Sequence, residues 1–238
     1  MPTIAVLGTF DTKGPEHAFV ADAIRAGGFA TLLIDVGCLG APTIQPDVAA
    51  DIVAAHGGEE WRAILARRDR GECVTLMGRA AAKLLLDLAA RGQIHGVISL
   101  GGGGGTAIAT AAMRALPIGF PKVMVSTLAS GNIAPYVGTV DIVMIPAIVD
   151  VAGINRISRA VFENAAGAIC GMVNAAENRR RQPVADKPLI VASMFGNTTA
   201  CVTEARRIVE AAGYEVLVFA ATGTGGRAME SLIAGRLT

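Results

Sequence analysis

Asp11 and Lys13 stand two residues apart in GTFDTKG, a segment bracketed by Gly8 and Gly14. A carboxylate and an ammonium this close, on backbone opened by glycine, suit a phosphate-bearing ligand. Lys13 would oppose phosphate charge, and Asp11 would take a ribose hydroxyl, a metal-bound water or Lys13 itself. Capping of the following helix by Asp11 and Thr12 is the competing use of the same residues, and the two uses are compatible. The second stretch fit for chemistry is the run Gly101 to Gly105, followed by Thr106. A linker of this composition would have polar, irregular flanks, yet VISL enters this one and TAIATAAMRAL leaves it. Glycine lets backbone N–H groups approach an anion unobstructed, and a helix N-terminus adds partial positive charge. The run therefore suits an anion cradle at Gly102, Gly103, Gly104, Gly105 and Thr106, with tight strand–helix packing as the alternative and a hinge as the weakest reading. It lacks the full dinucleotide fingerprint, because Thr106 stands where Gly or Ala belongs, and it lacks the GKS or GKT ending of a Walker loop.

Three more turns repeat this chemistry: Ser130, Gly131 and Asn132 in LASGN; Gly196, Thr198 and Thr199 in FGNTT; Thr222, Gly223, Thr224 and Gly225 in ATGTGG. Hydroxyls beside bare backbone suit phosphate oxygens, although SGN equally suits a turn with positive φ. Gly8 and Thr9 complete the first turn in the same way. Asp150 and Asn155 are candidates for a metal or polar site, against an ordinary role at a helix start. Of His17, His56 and His95, none pairs in sequence with a nucleophile or a metal-ligand partner, and only His17 lies near a glycine-rich turn. With neither GxSxG nor HExxH present, hydrolase and zincin readings have no support. No catalytic residue and no metal ligand is assigned.

These turns need elements to position them. TIAVL (3–7), TLLIDV (31–36), HGVISL (95–100), VMVST (123–127) and DIVMI (141–145) are short apolar runs of the kind expected for strands buried on both faces. Helices are expected in the second half of the segment after the first strand, stopped by Gly27–Gly28, and over 59–70, 79–91, 106–116 and 156–176, with a short one near 48–55. Strand, helix and strand within some 36 residues form a right-handed crossover unit. ENRRRQPVADKP (177–188) is the sharpest shift in composition, and a boundary is expected there. LIVASM (189–194), a helix through Ala212, EVLVFA (215–220) and a last helix then restart the pattern. Two strands alone close no good sheet, so either they add to the first sheet or, as the favoured expectation, the chain is the front part of a longer protein. In a parallel sheet the five polar turns would share the carboxyl edge of the strands, where ligands bind at the point of reversed strand order.

Composition narrows the function classes. Hydrophobic residues make up 52% of the chain, aromatics 4% and charged residues 17%, and the formal net charge is +1, so no nucleic-acid partner and no acidic membrane surface is expected. Arg67, Arg68 and Arg70, and Arg179 to Arg181, form basic clusters without interleaved aromatics, which reads as solvated helix ends or linker. Cys38, Cys73, Cys170 and Cys201 form no CxxC or Cys/His pattern and read as small core residues in a reducing cytoplasm. Gly, Pro, Asp or Arg interrupts each apolar run before the ~18 to 20 residues of a membrane span, and MPTIAVLGTFDTKG lacks the basic start of a secretory leader. A cytoplasmic protein is expected.

GTFDTKG after the first strand, SLGGGGGTAIATAAMRALPIGFPKVMVST, SGN, and MFGNTTACVTEARRIVEAAGYEVLVFAATGTGGRAME in this order resemble one family over essentially all 238 residues. It is that of the N-terminal domain of the tomato protein conferring resistance to tomato mosaic virus, a tobamovirus-resistance-like ATP-binding domain with bacterial and fungal homologues. The resemblance implies an α/β fold: a Rossmann-like doubly wound parallel sheet over 1–182, then the beginning of a second Rossmann-like subdomain over 183–238, incomplete at this length. It implies ATP as ligand and a homodimer; Mg²⁺ is expected beside the phosphates, through their oxygens and waters. It supplies no settled reaction and no protein partner. Three readings follow: nucleotide binding by the glycine-rich turns, an enzyme acting on a small phosphorylated or carboxylated metabolite, or a non-catalytic interaction module ordered by nucleotide.

Overall fold

The computed structural model describes residues 1–58, 61–67, 69–182 and 187–235, and it divides the chain into two compact units, Met1–Arg181 and Gln182–Thr238. The first unit is built on five parallel strands: β1 (Thr3–Gly8), β2 (Ala30–Asp35), β3 (Gly96–Gly101), β4 (Lys122–Ser126) and β5 (Val143–Pro146), in the order β2-β1-β3-β4-β5. Their apolar runs are continuous because both faces are covered. Ala5, Leu7, Val97 and Met124 point into one core, and Ile4, Val6, Ile98, Leu100, Val123 and Val125 into the other, as the two-residue period of a strand requires. Helices α1 (Phe10–Ala26) and, after five shorter or intervening helices, α7 (Arg156–Arg181) cover the second of these faces. On the first lie α2 (Ala50–Ala55), α4 (Arg70–Ala90) and α5 (Gly103–Met113), with α3 (Trp61–Arg67) and α6 (Ala134–Val137) at its margin. This is a doubly wound, Rossmann-like α/β sheet.

Three boundaries differ from the expected ones, each for a physical reason. GTFDTKG is largely the kinked first turn of α1 rather than a loop: Lys13 is non-helical (φ −131°, ψ 22°) two residues before Pro15, which has no N–H for the ladder. Helix α4 begins at Arg70, well before residue 79, because the Asp69 side chain accepts the Glu72 N–H at 2.8 Å and caps it. Its Gly71 and Gly78 read as breakers in sequence, yet at Gly78 a Cβ would stand 3.2 Å from the Ala111 methyl, so the glycine lets α4 and α5 pack closely. Helix α5 begins at Gly103, inside the glycine run rather than after it. The expected helix over 59–70 overlaps residues 59, 60 and 68, and the proposed linker overlaps 183–186; these lie outside the described residues.

The second unit contains β6 (Leu189–Met194), a 3-10 turn (Gly196–Thr198), α8 (Thr199–Ala211), β7 (Glu215–Ala220) and α9 (Gly223–Ala234), with β6 and β7 paired in parallel. Among its described residues only Val216 is buried. Cys73 is buried as expected of a core thiol, whereas Cys38 and Cys170 are half-buried and Cys201 is exposed. No helix among the described residues is long and apolar enough to cross a membrane.

Candidate functional site

The strand order reverses between β1 and β3: the chain moves from β1 out to β2, then returns to the other side of β1. That leaves a crevice where the segments after β1 and β3 diverge to opposite faces of the sheet, the usual ligand position in such sheets. A cleft of about 280 Å³ lies there, lined by Thr9, Asp11, Thr12 and Lys13 after β1, by Val36, Cys38 and Leu39 after β2, and by Gly101 to Gly105 after β3. Arg70 and Val74 from the start of α4, Ile108 of α5, and Asp150 after β5 complete the wall.

The donors come from backbone and from two cations. The first helical bond of α5 runs from the Thr106 N–H to the Gly102 carbonyl at 2.8 Å, so the N–H groups of Gly103, Gly104 and Gly105 have no acceptor within the helix. Lys13 and Arg70 form no ion pair or side-chain hydrogen bond among the described residues. The Arg70 guanidinium stands 3.4 Å from the position of a Cβ on Gly104, beside the glycine turn. Lys13, Arg70 and the free amides favour an anion at the glycine turn, in a lining that also holds the carboxylates of Asp11 and Asp150.

The glycine run divides by position. No residue in it has a positive φ, so left-handed backbone is not the reason for it. A Cβ on Gly101 would lie 3.1 Å from the Gly105 Cα, which makes Gly101 a packing glycine that brings strand and helix together. At Gly103 a Cβ would meet nothing within 4 Å, so that position leaves space only on the cleft side. Both uses read from the sequence apply, at different residues.

Thr106 is fully buried; its hydroxyl bonds the Ser126 Oγ at 2.7 Å, so it braces α5 against β4 instead of facing the cleft. Gly8 is also buried, and a Cβ there would fall inside the His17 ring. Nδ1 of His17 donates to the Lys13 carbonyl at 2.7 Å, and Nε2 accepts the Leu100 N–H at 3.3 Å. His17 therefore ties the kinked start of α1 to the end of β3 beneath the cleft, and burial lowers its pKa to about 4. Asp11 is half wall and half tie: Oδ2 accepts the Leu39 N–H at 2.8 Å, while Oδ1 is buried with no partner.

Sequence reasoning passed over Asp35 and Arg70. Asp35 is 2% exposed and its Oδ1 accepts N–H bonds from Phe10 (3.0 Å) and Gly37 (2.8 Å), fixing the backbone that enters the cleft from both β1 and β2. Burial raises the Asp35 carboxyl pKa, the two N–H bonds oppose the shift, and the charge of Asp11 adds to it. The signal available was a lone carboxylate ending an apolar strand run, LLID. Arg70 carried no signal, since nothing in the sequence brings the start of α4 to the glycine run.

The remaining candidates disperse. Ser130 lines a separate cavity of about 380 Å³ with Thr127, Ile148, Val149 and Asp150. Oδ1 of Asn132 accepts the Ala134 N–H at 3.1 Å at the start of α6, and the Gly131 N–H closes a turn on the Leu128 carbonyl at 3.0 Å. Asn155 caps α7, its Oδ1 accepting from Ile157 and Ser158 at 2.9 and 3.0 Å. In the second unit, Gly196 and Thr198 form the 3-10 turn, and the Thr198 and Thr199 hydroxyls both bond the Phe195 carbonyl, at 3.0 and 3.3 Å. Thr222, Gly223, Thr224 and Gly225 open α9, with Gly225 packed so closely on the Ala220 carbonyl that a Cβ has no room. Among the described residues no group of three or more His, Cys, Asp and Glu side chains has metal-ligand geometry.

Fold and cleft together define a class: Rossmann-like parallel α/β proteins with a glycine-rich crevice at the switch point of the sheet. The chain belongs to the uncharacterised protein family UPF0261; the N-terminal domain model of that family matches residues 2–178 and its C-terminal domain model residues 187–238. A UPF0261 protein of Clostridium tetani is 48% identical over 230 residues, covering 97% of this chain and 56% of the relative. The ToMV resistance protein Tm-1(GCR237) of Solanum lycopersicum is 36% identical over 252 residues, covering 98% of this chain and 33% of the relative, so the family resemblance read from the motifs stands. The chain thus spans about half the length of its bacterial relative. A solved UDP-GlcNAc 2-epimerase from Neisseria meningitidis bound to UDP-GlcNAc is similar at TM-score 0.39 and 11% identity, over 98% of this chain and 70% of that one, a likeness too loose to carry an argument.

Proposed function

We propose that the first unit binds a phosphate-bearing small molecule, ATP or a related nucleotide, with its phosphates against the amides of Gly103 to Gly105 and its charge opposed by Lys13 and Arg70. The observation that carries this reading is the convergence of three free N–H groups and two unpaired cations on one crevice at the switch point. Mg²⁺ would accompany the phosphates through their own oxygens and waters. Isothermal titration with ATP tests it on the wild type, Lys13→Ala and Gly103→Val. Loss of one charge-assisted contact is expected to weaken binding by about tenfold to a hundredfold. A Cβ at 103 meets nothing within 4 Å in the free protein, so the substitution is aimed at what sits on the turn. Unchanged affinity in both variants overturns the assignment.

A second reading has one observation in its favour. At about 280 Å³ the cleft sits at the small end of ligand pockets, which run from roughly 300 to 1,000 Å³, and a sugar phosphate fills it more completely than a nucleotide. On that reading the protein is an enzyme of small phosphorylated metabolites. A thermal-shift screen separates the two: a large shift with sugar phosphates and none with ATP selects the second.

A further inference from the structure

We propose that the cavity beside the glycine-rich cleft is a hydroxyl-recognising subsite, taking the uncharged sugar portion of a ligand whose phosphate lies in the cleft, with Asp150 as the residue that reads the hydroxyls. The proposal rests on the phosphate reading above and adds to it the orientation and chemical class of the rest of the ligand.

The cavity, about 380 Å³, lies at the carboxyl ends of β4 and β5 and is lined by Thr127, Ser130, Ile148, Val149 and Asp150. It adjoins the cleft. Asp150 lines both, and the Thr127 hydroxyl stands 3.7 Å from the position of a Cβ on Gly102, across the glycine turn. A ligand with its phosphate on Gly103 would therefore direct its next atoms past Thr127 toward Asp150.

The two spaces differ in charge. In the cleft Lys13 and Arg70 stand beside the carboxylates of Asp11 and Asp150, whereas the described lining of the cavity has the Asp150 carboxylate with no cation beside it. That carboxylate repels a second phosphate and accepts hydrogen bonds from neutral hydroxyls, the same use an acidic residue has on a ribose diol in dinucleotide-binding sheets. Thr127 and Ser130 add two hydroxyls that can donate or accept. Among the described residues the hydroxyls of Thr127 and Ser130 and the carboxylate of Asp150 have no protein hydrogen-bond partner, whereas neighbouring Ser126 is fully engaged with Thr106 and the Leu128 N–H. Thr127, Ser130 and Asp150 are exposed residues, so these groups face solvent and are open to a ligand.

Its rim is also strained. Ile148 has φ +67°, a β-branched residue in left-handed backbone, and its side chain is 74% exposed. The conformation is held from both sides, by the Ala147 N–H on the Ser126 carbonyl (3.1 Å) and the Val149 N–H on the Ala147 carbonyl (2.7 Å). Strain of this kind collects at ligand sites, and here it falls on a residue that lines the cavity, beside Val149 and the three polar residues.

The test titrates the full chain with tripolyphosphate and with ATP or ribose 5-phosphate, whichever binds, each beside its 2′,3′-dideoxy analogue. Wild type, Lys13→Ala, Ser130→Ala and Asp150→Asn are compared, with Mg²⁺ and with EDTA. The expected result is that Asp150→Asn and removal of the diol each weaken binding by about tenfold, without adding when combined. Tripolyphosphate should be weakened by Lys13→Ala and not by Asp150→Asn. Equal binding of the diol ligand and its dideoxy analogue overturns the subsite and leaves the phosphate reading intact. A loss in Asp150→Asn that extends to tripolyphosphate and vanishes in EDTA makes Asp150 a cation holder and also overturns it. Absence of binding by every phosphate compound ends both readings together.

Discussion

His17 is held neutral at the centre of the first unit, and its burial makes stability depend on pH. In the unfolded chain it titrates near the ordinary histidine value of 6.5 and in the folded protein at about 4. Above pH 6.5 both states are neutral and the full stability is present. As pH falls toward 4 the unfolded state takes up the proton first, so stability declines, by up to about 3 kcal/mol for this one group. Asp35 works in the opposite sense, because its raised carboxyl pKa makes the folded state the better proton acceptor as pH falls. Urea unfolding at pH 7 and pH 4.5 should therefore show a larger drop for the wild type than for His17→Gln, which keeps a donor and an acceptor but does not titrate. Equal drops would remove His17 as the cause. Ile148 offers a second measurement at this scale. Glycine at 148 relieves left-handed backbone and loses little packing, since the side chain is 74% exposed. Ile148→Gly should be neutral or stabilising, by up to about 1 kcal/mol, after the entropy of glycine in the unfolded chain is subtracted.

At the scale of elements, the start of α5 separates packing from ligand contact. Gly101→Ala sets a methyl 3.1 Å from the Gly105 Cα, where only backbone movement can make room, and should cost about 1 to 3 kcal/mol in urea unfolding. Gly103→Ala meets open space and adds a better helix former, so it should leave stability unchanged or raised by a few tenths of a kcal/mol. Reversed signs would reverse the division of the run. What the sequence could show follows the same division. The strands were legible because TIAVL, HGVISL and VMVST carry no Asp, Glu, Lys or Arg and are mostly apolar, as expected of strands covered on both faces. The first turns of α1, α4 and α5 were not, because each is spelled with residues that disfavour helix locally: Gly14 and Pro15, Gly71, and Gly103 to Gly105. Close packing and capping from elsewhere in the chain decide those turns, and local propensity has no access to them.

At the scale of the molecule, the turns after β1 and β3 meet because the strand order puts β3 on the side of β1 opposite β2. No residue type announces that order, so the sequence could assign polar turns to one edge but not say which two share a crevice. Nor could it place Arg70 or separate Ser130 from the glycine cleft. The same organisation yields a last prediction. Among the described residues, every buried one apart from Val216 lies in Met1–Arg181, in two cores on the two faces of one sheet, and the described linings of both cavities belong to that unit. A fragment of residues 1–181 should therefore unfold cooperatively, because its hydrophobic burial is intact without the second unit. If the proposed ligand is held as argued, the fragment should also bind it within about threefold of the full chain, since none of the donors named comes from beyond residue 150. The described residues of 182–238 form two paired strands with one buried side chain, below what an independent sheet needs, and that segment alone should show weak, non-cooperative thermal melting by circular dichroism. A fragment 1–181 that folds but loses all affinity would mean that the second unit supplies part of the site. A fragment that fails to fold would mean that the two cores do not suffice.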